Sequence, residues 1–119
     1  MTDMNLKSYA YLGDAVWELW VREHTILQTE NSKELHQITT DKVKMSFQTT
    51  LLHDMEEDLT EEEQDLARRG RNLSIPVGRK SDQAEYRQAT AFEVLIGWWY
   101  RNNKDRLEYF LGKIERKYF

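Results

Sequence analysis

The chain has 119 residues, with 17 Lys and Arg against 21 Asp and Glu and a formal net charge of −4. That length suits one domain around one core, spanning residues 1–119, and the negative balance weighs against a general polyanion binder, whose affinity rests on Lys and Arg. With no cysteine there is no disulfide framework and no thiolate metal site.

No apolar run approaches the roughly 18 residues that a membrane span needs, and the first five residues, MTDMN, lack targeting character. A soluble, cytoplasmic protein is expected, with no membrane partner. One proline and five glycines favour an all-α chain over a sheet protein.

A first helix, single or double, is expected from about Asp3 to Gln28, with Leu12, Val16, Leu19 and Trp20 at helical spacing. Its most apolar part contains Gly13-Asp14, two poor helix-interior residues from which a purely packing helix gains nothing. An Asp14 turned to solvent or capping a helix accounts for the acid equally well. Ser32 is the expected N-cap of the next segment, Lys33 to about Glu57, where Leu35, Ile38, Val43, Phe47, Leu51 and Leu52 keep helical spacing. The polar Thr39-Thr40-Asp41 cluster is expected to divide it, with Thr40 or Asp41 as the second cap.

Thr60 and Glu63 have the spacing of a capping box. The helix they open is expected to run to Arg69, with Gly70 as its left-handed stop. Residues 72–81 form the one substantial loop, holding Pro76 and Gly78. Ser81 or Asp82 then caps an apolar helix that carries Glu93 and fades at Asn102-Asn103. Lys104 to Phe119 is a last amphipathic helix, with Leu107, Phe110, Leu111, Ile114 and Tyr118 on one face.

Two helices therefore carry one acid each within an apolar stretch, and both have small residues nearby: Ala10 and Gly13 in the first, Ala89 and Gly97 in the second. A crossing at those small residues would bring Asp14 and Glu93 together. Two carboxylates in a partly buried site repel one another unless protonated or bridged by a cation. Hard oxygen ligands of this kind suit Mg²⁺, which commonly takes one or two carboxylates and keeps waters for a phosphate substrate.

Charge is segregated as well. Acid gathers in residues 54–58 and 61–65, and base follows in Arg68, Arg69 and Arg71 and again in Arg79 and Lys80. A basic patch around one loop is compatible with RNA binding, and a solvated, salt-bridged helix end is the plainer alternative. His24, His36 and His53 have no partner at metal-ligand or triad spacing. Trp98, Trp99 and Tyr100 are read as core or interface rather than as base-stacking platforms. Leu12, Trp17, Trp20, Val21, Val94 and Trp98 cover more of their helices than one intramolecular face requires, which points to a homodimer.

Residues 12–16, LGDAV, resemble the signature of the ribonuclease III catalytic domain, and residues 92–97, FEVLIG, resemble its second acidic motif. Residues 68–72, RRGRN, and 86–93, YRQATAFE, resemble more narrowly the Mini-ribonuclease III branch, which lacks an attached double-stranded-RNA-binding domain. The resemblance covers essentially the whole chain. It implies a single helical ribonuclease III catalytic fold, dimerising, with Asp14 and Glu93 as catalytic residues that hold Mg²⁺ (or Mn²⁺).

The implied reaction is hydrolysis of double-stranded RNA to 5′-phosphate and 3′-hydroxyl ends, in maturation of the 23S ribosomal RNA precursor. Arg68, Arg69, Arg71, Asn72, Arg79, Lys80 and Arg87 are the expected RNA-binding set. The chain departs from full-length ribonuclease III at Ala10 and Thr90, where further acids lie. Two other readings stand beside the nuclease. One is a non-catalytic ribonuclease-III-like module binding RNA or ribosomes, and the other is a helical adaptor docking a protein through its aromatic surface.

Overall fold

A computed structural model describes residues 5–74 and 83–119. All regular structure among them is helical, in the order α1 (Leu6–Thr25), α2 (Ser32–Val43), α3 (Met45–Met55), a short 3-10 turn (Glu56–Asp58), α4 (Glu61–Arg71), α5 (Gln83–Asn102) and α6 (Lys104–Tyr118). The all-α expectation holds.

Helix α5 is the centre of the fold. Ala89, Ala91, Phe92, Val94, Leu95, Ile96, Gly97 and Trp99 are all buried, so it is apolar nearly all round, as a helix wrapped by others must be. Helix α1 packs against it most extensively, with α4, α3 and α6 on its remaining sides. On α1 the buried stripe is Tyr9, Gly13, Trp17, Val21 and Thr25, a strict four-residue repeat. Trp17 sets its edge on Phe92, with ring centroids 5.2 Å apart, and Trp99 stacks on Phe110 at 4.8 Å.

The helix ends show where local signals prevail and where packing overrides them. The capping box forms as expected: Thr60 Oγ1 accepts from the Glu63 amide, and Glu63 Oε1 accepts from the Thr60 amide. Asn31, rather than Ser32, caps α2, its side chain accepting from the Glu34 amide at 2.9 Å. The break after α2 falls at Lys44, not at Thr39-Thr40-Asp41. Thr39 shares a 2.8 Å hydroxyl hydrogen bond with Thr25 of α1, so its polar group is satisfied from outside and the helix continues.

Gly70 is not a left-handed stop either. It lies buried inside α4, and a Cβ there would stand 3.0 Å from the Ala91 Cα of α5. The glycine allows α4 to approach α5, and Asn72 ends the helix. The expected caps at Ser81 and Asp82 lie outside the described residues.

Candidate active site

The α1–α5 crossing is where the backbones come closest. A Cβ placed on Gly13 would lie 1.8 Å from the Glu93 carbonyl oxygen, and one placed on Gly97 would lie 2.0 Å from the Tyr9 carbonyl oxygen. No other residue type fits at either point. The two glycines thus hold the helices in backbone contact, one residue before Asp14 and four after Glu93. The small-residue crossing read from the sequence is the one that forms.

That contact brings the two acids side by side. Asp14 and Glu93 line the same open groove, about 490 Å³ in volume. Asp14 is exposed and Glu93 half-buried. The Glu93 carboxyl is pushed up to about 8, first by its burial and then by the charge and hydrogen bonding of the Asp14 carboxyl. The buried amide of Gln48, on α3, lies near enough to Glu93 to oppose the shift. At neutral pH and without a cation, Glu93 therefore holds its proton beside an acidic neighbour, which is the signature of a site short of positive charge.

The donor set fits a hard divalent cation. Two carboxylates project into an open groove, and no third His, Cys, Asp or Glu completes a cluster with them among the described residues. A cation there would keep water on its remaining positions, as Mg²⁺ prefers. Ala10 and Thr90 also line the groove, so the positions where full-length ribonuclease III carries acids do face the site. Here they present a methyl group and a hydroxyl, the latter donating back to the Tyr86 carbonyl at 2.9 Å.

Sequence reading missed four residues of this neighbourhood. Lys7, Tyr11 and Tyr86 line the groove with the two acids, and Gln48 sits behind Glu93. A signal existed for each. Lys7 and Tyr11 precede Asp14 at helical spacing, Tyr86 precedes Thr90 and Glu93 in the same way, and Gln48 is a polar residue in the apolar stripe of α3.

The expected RNA-binding residues are more dispersed. Arg68 pairs with Asp65 on its own helix, and Arg69 reaches the same carboxylate at 3.7 Å. Arg87 donates to the Arg71 carbonyl at 2.7 Å, tying α5 to the end of α4. Asn72 caps α4 and is exposed. None of these five lines the groove, whereas Leu73 and Ser74, the next residues along the chain, do. Arg79 and Lys80 lie outside the described residues.

Glu18 forms a 2.7 Å surface ion pair with Arg22. Of the residues read as dimer surface, Trp17, Val21 and Val94 are fully buried within the chain and are not available to a partner. Trp99 is likewise core, while Leu19 and Tyr100 are exposed.

Comparison with known proteins identifies the family. The ribonuclease III domain family matches residues 7–104. Mini-ribonuclease 3 of Gloeobacter violaceus is 45% identical over 104 residues, covering 87% of this chain and 77% of that protein. Mini-ribonuclease 3 of Staphylococcus aureus is 36% identical over 116 residues, covering 93% and 87%. The crystal structure of a Fusobacterium nucleatum protein, 29% identical, superposes with a TM-score of 0.84 over 94% of this chain and 93% of that one. With a helical catalytic-domain fold and two acids brought together by paired glycines, the chain belongs to the ribonuclease III family of endoribonucleases, in its Mini-ribonuclease 3 branch.

Proposed function

We propose that this endoribonuclease cuts double-stranded RNA with Mg²⁺ held between Asp14 and Glu93, and that its substrate is the 23S ribosomal RNA precursor. The observation that carries the metal reading is the apposition of those two carboxyls in an open groove, with Glu93 holding a proton that a cation would displace. A cation bound there supplies Lewis acidity toward a phosphate oxygen and an activated water. Mn²⁺ has the same oxygen preference.

The chain's own residues do the rest. Gly13 and Gly97 fix the spacing of the acids, and Glu93 would yield its proton to a cation bound between them. Lys7 brings a cationic side chain to the groove that accepts the backbone. Water attacking in line at phosphorus leaves a 5′-phosphate and a 3′-hydroxyl.

Duplex cleavage needs one such site per strand, which a two-fold homodimer supplies. An open, largely apolar depression between α1, α5 and α6, with Leu19 and Tyr100 at its edge, supports that assembly. For substrate contacts we assign Asn72 and the cationic side chains of Arg79 and Lys80. Arg68, Arg69, Arg71 and Arg87 complete the assigned set, with Arg68 and Arg69 exchanging Asp65 for phosphate. A cytoplasmic location follows from this substrate. No helix among the described residues is long and apolar enough to cross a membrane.

Incubating labelled duplex RNA with the protein, with and without Mg²⁺, tests the reading. Mg²⁺-dependent cleavage is expected. Retention of the RNA without cleavage would favour a binding module, and neither result would leave only the protein adaptor.

A further inference from the structure

Gln48 is 3% exposed, a polar side chain at the heart of an apolar contact between α3 and α5. Burying an amide is costly unless its hydrogen bonds are made. Its partners are specific. Nε2 donates to the Val43 carbonyl at 3.2 Å, and the amide lies near enough to the Glu93 carboxyl to favour its ionised form. The Val43 carbonyl is free to accept because α2 ends there, one residue before the break at Lys44. It decides which way the amide points, because an oxygen turned toward it would meet another acceptor. The NH₂ group is therefore fixed by a backbone carbonyl, with the Glu93 carboxyl in its neighbourhood.

The same break serves the other acid's helix. The Lys42 carbonyl, one residue earlier, accepts from Trp17 Nε1 of α1 at 3.0 Å. Trp17 lies one turn after Asp14. Two adjacent carbonyls left over at the end of α2 thus tether α1 through Trp17 and orient the amide that reaches Glu93 on α5.

We propose that Gln48 is a positioning residue for the metal site: its amide, aligned by the Val43 carbonyl, holds the Glu93 carboxylate in the orientation that shares a cation with Asp14. This rests on Asp14 and Glu93 being the metal ligands. Partners that orient ligands in this way typically change metal affinity or activity by about 10- to 100-fold when removed.

The test compares Gln48→Met, which keeps length and loses the amide, with Gln48→Asn, which keeps an amide too short to span both partners. Thr49→Val is the control. It removes a 3.3 Å hydrogen bond from Thr49 to the Glu85 carbonyl, so it loosens the same α3–α5 contact without touching Glu93. Glu93→Gln is the reference for the site itself. Mg²⁺ affinity is read by calorimetric titration and by the Mg²⁺ concentration for half-maximal cleavage, at a temperature where circular dichroism shows each variant folded.

Both Gln48 variants should weaken Mg²⁺ binding about tenfold or more, with cleavage partly restored at high Mg²⁺, and Thr49→Val should leave affinity unchanged. Gln48→Asn stays measurable should Gln48→Met not fold. Wild-type Mg²⁺ affinity in a folded Gln48 variant, even one that melts earlier, overturns the proposal and makes Gln48 a packing residue. An active Glu93→Gln would instead overturn the two-acid site on which it rests.

Discussion

Glu63, packed against α5, and Glu93, on α5 itself, are glutamates that the chain treats in opposite ways. Glu63 is 3% exposed and surrounded by donors. Trp99 Nε1 and Arg106 Nε each donate to its Oε2 at 2.9 Å, a second Arg106 nitrogen donates to Oε1 at 2.7 Å, and the Thr60 amide completes the set. Burial raises its carboxyl, but the hydrogen bonds from Arg106, Thr60 and Trp99 outweigh this and hold it below the usual glutamate range. Among the described residues, Glu93 has burial without a cationic partner. Its neighbours are another carboxyl and one neutral amide, and it rises to about 8.

One glutamate therefore fastens α4 to α5 and α6 and stays ionised. The other keeps an unmet demand for positive charge at the mouth of a groove. The contrast separates a structural carboxylate from one held ready for a ligand.

The sharpest way to break this contrast is to remove the groove acids. Asp14→Asn and Glu93→Gln should each keep the fold and lose cleavage by more than about a thousandfold, the scale of several kcal/mol of charge stabilisation in the transition state. Turnover of duplex RNA in Mg²⁺ measures it. Near-wild-type rates in either variant would end the two-acid account.

Next in size is Gly13→Ala. Its methyl group would sit 1.8 Å from the Glu93 carbonyl oxygen, so α1 and α5 must part. Overpacking of this kind costs about 1–3 kcal/mol or more. An ångström of displacement between reacting groups is worth about a hundredfold in rate. Activity should therefore fall further than stability, as read by thermal melts beside cleavage rates.

Breaking the other glutamate gives the opposite pattern. Glu63→Ala strands the Arg106 guanidinium and should destabilise the fold by about 3 kcal/mol, measured by urea unfolding. In whatever fraction stays folded at low temperature, the groove and its metal response should be unchanged.

The smallest effect is one of pH. Glu93 binds its proton more tightly in the folded chain than in the unfolded one. In metal-free buffer, its contribution to stability is thus fully present below about pH 4.5 and is lost as pH rises toward 8. Glu93→Gln has no such loss. It should melt at or above wild type at pH 8, with the gap closing by pH 5. Parallel melting curves for the two proteins across that range would show that Glu93 carries no raised affinity for protons.

Much of the fold was legible because its local signals are strong. The capping box at Thr60 and the apolar run of α5 fix their elements without help from the rest of the chain. The crossing was legible for a related reason: glycine costs stability inside a helix, so Gly13 and Gly97 needed an external explanation, and backbone contact is that explanation. Gly70 misled because a glycine near a helix end serves equally as a stop or as a point of close approach, and only the position of Ala91 decides between them. The break at Lys44 was misplaced because it depends on partners distant in sequence. Thr25 satisfies Thr39, while Trp17 and Gln48 cap the carbonyls that the break leaves over.

At the site, the two acids were visible as misfits in apolar helices. Gln48 was a misfit of the same kind in α3 and went unread because its neighbours Phe47, Leu51 and Leu52 dominate the pattern. The basic residues were read by count, which shows neither the carboxylate of Asp65 between Arg68 and Arg69 nor the use of Arg87 as a tie to Arg71. In the same way, Trp17, Val21 and Val94 looked like surplus apolar surface until the packing of α5 accounted for them.

The central claim is that Asp14 and Glu93 form a carboxyl pair with no positive partner among the described residues, which a divalent cation completes. It is tested most directly by following the Glu93 side-chain carboxyl by NMR through a pH titration, with and without Mg²⁺. The midpoint should lie near 8 without metal and fall well below neutrality once Mg²⁺ is added, because the cation displaces the proton. A midpoint near the ordinary glutamate value in metal-free buffer, or one near 8 that Mg²⁺ does not move, would contradict it.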